Sequence, residues 1–202
     1  MNKIFGLTLE KDQLRESGTT LPKDDTEVIF NNGKNLIFIG DIYFEKKYYR
    51  ESLKYYLLGC AIENAFYSDP TKTALTTSKY FTHLARRLFD CFYFLKSPMQ
   101  AIVVSQFFGN LNQTCSVSFK IIQDEFYQLD TNYFQYIWEM PLLEILINTF
   151  TKQKDIKKVY ILTQIISNPN INEFNHPDIR KNYIKNTKNN FLKAISSNYL
   201  LS

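Results

Sequence analysis

The stretch from Asn35 to Ala65 limits the folds open to this chain more than any other. Leu36, Ile39, Gly40 and Tyr43 recur at the spacing of one helical face, and Leu53, Tyr56, Leu57, Cys60, Ala61 and Ala65 mark a second. A tight turn between them predicts two helices lying side by side. Gly40 and Ser52 are small residues on the facing surfaces, where the two backbones can approach. Leu36, Ile39, Tyr43, Leu53, Tyr56 and Leu57 are expected to fill the space around them. Gly59 inside the second helix costs about 1 kcal/mol relative to Ala, so a close packing contact is the reason expected for it. One helix pair cannot bury its own apolar face, and the rest of the chain has to supply neighbours.

The order Leu36-x2-Ile39-Gly40-x2-Tyr43, then Ser52-x3-Tyr56, is the tetratricopeptide spacing of large, branched, glycine, tyrosine, small and aromatic residues. It recurs at an offset of 49: Phe92 stands where Tyr43 does, and Ala101 where Ser52 does. Phe89 replaces Gly40 in that second copy, which widens the helix contact. The fold class expected is all-α, with tetratricopeptide-like antiparallel helix pairs stacked into a short solenoid over 35–202. Residues 1–34 read as a mostly irregular arm with a short helix at Thr26 to Asn31.

Asp69-Pro70 and Ser97-Pro98 are helix starts, with proline at the first helical position. The first opens a helix to about Leu95, with Phe81, Leu84, Ala85, Leu88, Phe92 and Leu95 on one face. The second opens a helix from Met99 to Phe108, closed by Gly109-Asn110. Thr114 to Gln128 reads as a helix with Val117, Ile121, Ile122 and Phe126 on one side. An aromatic cluster from Tyr133 to Trp138 leads to Pro141 and a third pair, Pro141 to Phe150 and Asp155 to Ile166, keeping little of the signature. Its second helix is expected to turn Ile156, Val159, Tyr160, Thr163 and Ile166 inward. An Asn-rich loop precedes a last helix from Pro177 to about Leu200.

Composition narrows the chemistry. Hydrophobic residues make up 45% and charged residues 22% of the 202, as in an ordinary globular chain. The 17 Phe and 14 Tyr suit ring packing between helix layers. A net charge of +4 is too diffuse for a nucleic-acid footprint, so direct nucleic-acid binding is not expected. Cys60, Cys91 and Cys115 are odd in number and without CxxC spacing, which indicates buried thiols in a reducing compartment. No apolar stretch is long enough to span a membrane, and MNKIFGLTLEKDQ is too charged for a secretory leader. Nucleus and cytosol both remain open on composition.

No catalytic set is expected. His83 and His176 stand far apart with no cysteine at ligand spacing, so no metal and no cofactor are expected. His83 reads as a surface or boundary residue. Asp124-Glu125 point about 100° apart on a helix and cannot act as a facing pair. Glu144 reads as part of a solvated face or an ion pair with a partner. Neither GxxxxGK[ST] nor GxGxxG occurs. Lys181, Lys185 and Lys188 form a basic stripe on the last helix, with Ile195 and Tyr199 continuing its face. With Trp138 these lysines are the expected partner contacts. Asn35, Asp41, Thr82 and Arg86 would line a groove across the first helices, and an independent adaptor taking a short peptide there is the alternative.

Gly40-Asp41-Ile42-Tyr43-Phe44, Tyr55-Tyr56-Leu57 with Gly59-Cys60-Ala61, the Tyr136-Ile137-Trp138 junction and Phe191-Leu192-Lys193-Ala194 together resemble the C-terminal helical-repeat region of the Integrator complex subunit 8 family. The resemblance spans about 35 to 200, in order and with similar spacing. It implies a non-catalytic nuclear scaffold acting in small nuclear RNA 3′-end processing and RNA polymerase II attenuation. The implied partners are other Integrator subunits and, indirectly, protein phosphatase 2A. Family members are several times longer, and the portion associated with phosphatase recruitment has no counterpart here. A shortened protein, a partial gene model and a separately encoded C-terminal piece all fit that.

Overall fold

Asn32 begins the first helix by accepting the Lys34 amide on its side chain at 3.0 Å, satisfying a donor that no helical carbonyl reaches. The computed structural model describes residues 32–63, 79–125, 129–171 and 176–200, and every regular element among them is helical. The first couple is α1 (Gly33–Glu45) and α2 (Tyr49–Glu63). The second is α3 (Lys79–Phe94) and α4 (Pro98–Ser105), which ends in a 3-10 turn at Gln106–Phe108. After α5 (Leu111–Glu125) and a 3-10 helix at Thr131–Tyr136 comes the third couple, α6 (Met140–Lys152) and α7 (Ile156–Ile166). A 3-10 turn at Pro169–Ile171 precedes α8 (Pro177–Leu200). Residues 1–31 of the arm, with the Thr26 to Asn31 helix, the Asp69-Pro70 start, Ala65 and Phe126 lie outside the described residues, while Gly33 and Lys34 at the arm's end already belong to α1.

All three couples turn the chain in the same way. Lys47, Lys96 and Lys154 have φ of 62°, 56° and 60°, the left-handed region that closes a helix end. The amide after each reaches back five residues: Tyr48 to the Tyr43 carbonyl at 3.0 Å, Ser97 to Phe92 at 2.9 Å and Asp155 to Phe150 at 3.0 Å. Aligned on this turn, Tyr43, Phe92 and Phe150 coincide, as do Ser52, Ala101 and Val159, and Gly40, Phe89 and Ile147. The offset of 49 therefore holds for the first two couples. The third carries more of the signature than its residue types suggest. Phe89 and Ile147 fill the place that Gly40 leaves open, and α1 and α2 accordingly share the most extensive helix–helix contact.

That contact is built as the spacing predicts. The Ser52 hydroxyl donates to the Gly40 carbonyl at 2.8 Å, and a Cβ on Gly40 would lie 2.6 Å from the Tyr56 ring. Leu36, Leu53, Tyr56, Leu57, Cys60 and Ala61 are buried. Ile39 and Tyr43 are only half-buried, and Ile37 holds the interior place, because the missing Gly59 side chain opens a slot for it. The α3 face of Phe81, Leu84, Ala85, Leu88 and Phe92 is buried as expected.

Three details differ from the sequence reading. The Ser97 side chain makes no cap bond to α4; its hydroxyl lies 3.5 Å from that of Tyr199. On α5 the buried line is Thr114, Ser118, Ile121 and Ile122, while Val117 is half-buried. Thr114 donates to the Ser105 carbonyl at 2.8 Å and Ser118 Oγ lies 3.0 Å from Ser105 Oγ, so hydrogen bonds admit these polar residues to the core. On α7 Leu162 is buried and Val159, Ile165 and Ile166 are half-buried, whereas Ile156, Tyr160 and Thr163 face outward. The whole face is rotated from the expected one, because α7 seats on α6 and the Thr131–Tyr136 helix together.

The last helix does not pair with α7. It crosses back to α2 and packs on both 3-10 segments beside it. Phe191 meets Phe107, Tyr133 and Tyr136 with ring centroids 6.0, 6.2 and 5.4 Å away, and Tyr199 meets Phe92 at 5.8 Å. Ile195 is fully buried beneath this crossing.

Candidate functional site

Two polar joints hold the helix couples in register, and both lie in segments singled out by the sequence. The first centres on Asp41. Its Oδ1 accepts the Tyr56 hydroxyl at 2.6 Å and lies 3.2 Å from His83 Nε2 and 3.5 Å from Arg87 Nε. One turn further, Glu45 accepts from Arg87 Nη2 at 2.8 Å. Residues 41 and 45 on α1, and 83 and 87 on α3, each sit one helical turn apart, so the side chains form two rungs between the couples. The Arg87 guanidinium also lies 4.2 Å from the centre of the Phe44 ring. Burial, reinforced by Asp41, pushes the Tyr56 phenol well above its ordinary value. His83 is therefore the boundary residue expected, and Asp41 ties couples together instead of lining an open groove. Asn35, Thr82 and Arg86 are exposed.

Gln106 makes the second joint. Buried at the end of the second couple, its Oε1 accepts the amides of Trp138 at 2.9 Å and Glu139 at 3.1 Å. Its Nε2 donates to the carbonyls of Val103 at 3.3 Å and Tyr136 at 3.2 Å. All four hydrogen-bonding positions of the amide are used, which fixes where the third couple starts. The Trp138 ring stacks on Phe107 at 5.5 Å, and its indole N–H donates to Glu139 Oε1 at 3.0 Å. Arg180 Nη2 donates to Glu139 Oε2 at 3.2 Å, tying α8 to the same carboxylate.

This joint corrects the expected partner contacts. Trp138 is 2% exposed, so its ring is spent on the interior of this chain. The Lys188 ammonium sits 5.4 Å from the Phe107 and Trp138 ring centroids and 6.0 Å from Phe81. Burial lowers its pKa, and Glu139 works in the opposite direction. The half of the basic stripe nearest the core thus serves internal packing, because quadrupoles of three rings replace water around the cation. Lys181 is exposed and Lys185 half-exposed.

The described residues hold no group of three or more His, Cys, Asp or Glu able to bind a metal, and no described helix is long and apolar enough to cross a membrane. Among the described residues His176 pairs with Asp178, at 3.5 Å. Burial pushes the Cys60 and Cys91 thiols up to about 12.

With this geometry in hand, comparison with known proteins is decisive. The family described as INTS8, TPR repeats, matches residues 9–199. The chain belongs to that family. An Integrator complex subunit 8-like protein of Dictyostelium discoideum is 70% identical over 201 residues, covering 100% of both chains. Integrator complex subunit 8 of Homo sapiens is 26% identical over 170 residues, and that of Mus musculus 25% over 170. Each of these alignments takes in 84% of this chain and 16% of the mammalian protein, so the chain spans a small part of those relatives. In this INTS8 TPR-repeat chain, the Gly40–Ser52 contact, the Asp41 rungs and the Gln106 joint all lie within the matched span. They account physically for the motif residues Asp41 and Trp138, whose side chains face the protein's own interior joints.

Proposed function

We propose that the chain is a non-catalytic scaffold subunit of an Integrator assembly in the nucleus. The match over residues 9–199 to a repeat family of that complex carries this reading. The two polar joints support it, since they tie the couples to one another in a fixed register. On this reading its docking contacts are exposed apolar and aromatic side chains such as Phe38, Tyr48 and Phe94, with Lys181 and Lys185 on the outer half of α8. The processes served are small nuclear RNA 3′-end processing and attenuation of RNA polymerase II transcription. Association with protein phosphatase 2A is indirect, through neighbouring subunits. Affinity purification of the tagged chain from nuclear extract tests the reading. Recovery of other Integrator subunits is expected; recovery of none overturns it.

A further inference from the structure

The third couple presents outward what its equivalents turn inward. On α7, Ile156 is 79% exposed and Tyr160, one turn on, is 65% exposed. Beside them α6 and α7 enclose an open, almost wholly apolar groove of about 300 Å³, lined by Phe150, Thr151, Lys154, Ile156 and Val159. Two cations stand at it, since Lys154 lines it and Lys157 follows Ile156, both exposed, while Lys152 lies on the groove that α6 forms with Phe119 and Ile122. The one carboxylate of the turn, Asp155, is already engaged. It accepts the Lys158 amide at 3.2 Å as the cap of α7 and pairs with the Lys158 ammonium at 3.3 Å. Lys158 in turn lies 4.8 Å from the Phe150 ring centre. Glu144, the nearest acidic residue along α6, is eight positions before Lys152, roughly 12 Å away along a helix.

An apolar strip one helical turn long, with exposed lysines at its rim, complements a helix with apolar residues at i, i+4 and carboxylates beside them. Nucleic acid suits it less well. Stacking of successive bases needs more than one free ring face, and here Tyr160 offers one while Phe150 is covered by Lys158 and by Phe134 at 5.9 Å. We propose that this end of the third couple docks an acidic amphipathic helix of a partner protein. The partner's apolar face would lie on Ile156, Tyr160 and the Phe150–Val159 groove, and its carboxylates on Lys154 and Lys157. The inference rests on the scaffold reading and gives the chemistry of one contact.

The test uses the full chain and a fluorescein-labelled helical peptide with leucine and phenylalanine on one face and glutamate on the other. Fluorescence anisotropy should show saturable binding. Lys154→Glu with Lys157→Glu should weaken it at least about fivefold, and Ile156→Asp should remove it. Lys46→Glu with Lys47→Glu makes the same charge change at the first turn and should leave binding intact. All these positions are exposed, and circular dichroism checks each fold; Tyr160→Ser stands in for any variant that loses helicity. No saturable binding, equal weakening by both double variants, equal binding of a glutamine-for-glutamate peptide, or binding of polyuridylate RNA in place of the peptide each overturns the proposal. Peptide failure with Integrator subunits still recovered from nuclear extract defeats this inference alone. Peptide binding without their recovery defeats the scaffold assignment alone.

Discussion

A Cβ placed on Gly59 lies 2.8 Å from the Gly33 carbonyl oxygen, and one placed on Gly33 lies 2.7 Å from the Gly59 carbonyl oxygen. At this end of the first couple, α1 and α2 meet backbone to backbone. Alanine at Gly59 gains about 1 kcal/mol of helix propensity. Against that, the new methyl group meets a backbone oxygen and also lies 2.7 Å from Ile37 Cγ1. Overpacking of this kind costs about 1–3 kcal/mol or more. Gly59→Ala should therefore lower stability by up to about 2 kcal/mol, read as a lower urea midpoint. A raised midpoint would mean that the helices stand further apart.

Tyr56→Phe separates the hydrogen bond to Asp41 from the packing of the ring. Losing a hydrogen bond to a carboxylate should cost about 1.5–2.5 kcal/mol at neutral pH. The phenol's pKa is raised on folding, so unfolded tyrosine loses its proton near 10.0 while the folded one keeps it. Unfolding then releases a proton, and the stability this group contributes below pH 10 is lost as pH rises beyond it. Denaturation curves at pH 8 and above pH 10 should show a steeper alkaline fall for the unsubstituted chain than for Tyr56→Phe.

Gln106 is the side chain whose loss should loosen the Trp138 junction. Gln106→Leu preserves approximate volume but takes the partner from the Trp138 and Glu139 amides and the Tyr136 carbonyl, while the Val103 carbonyl keeps the residue-106 amide, for a cost of about 2 kcal/mol or more. Gln106→Glu keeps the acceptor for Trp138 and Glu139 but sets a carboxylate against the Val103 and Tyr136 carbonyls. Both variants should lower the thermal midpoint. Quenching of Trp138, the chain's single tryptophan, by acrylamide should rise in each.

Thiol reactivity gives an independent check on burial. With pKa values near 12, Cys60 and Cys91 hold on the order of one part in ten thousand as thiolate at pH 8. Ellman's reagent should label Cys115, which is half-exposed, in the native chain and reach the other two only on unfolding. Rapid native labelling of Cys60 would contradict the packing of α2.

The Gly40–Ser52 approach was legible because both residues belong to one local pattern, and the position of Gly59 followed from the same reasoning. The phase of α7 was not. Apolar residues occur at Ile156, Val159, Tyr160, Leu162, Ile165 and Ile166, and two overlapping stripes can be drawn through them. The choice between them is made by Phe150 and the Thr131–Tyr136 helix, which no window on α7 contains. Lys188 misled because lysine is usually solvated, while its cage comes from Phe81, Phe107 and Trp138 in three separate segments. Asp41 was noticed, but its partners His83 and Arg87 lie more than 40 positions away. Gln106 carried a faint signal, an amide inside the apolar run Val103 to Phe108, that spacing rules do not weigh.

In an ordinary repeat array each unit leans on its neighbours alone and can settle as soon as the next one is made. Here α8 supplies a wall of the first couple from the far side of the sequence. At the usual pace of synthesis, the flank of α2 stays bare for on the order of ten seconds after that helix has been translated. A nascent chain must wait for α8 before its first couple is fully sheltered, so anything that grips exposed apolar surface on the ribosome would find α2 during that interval.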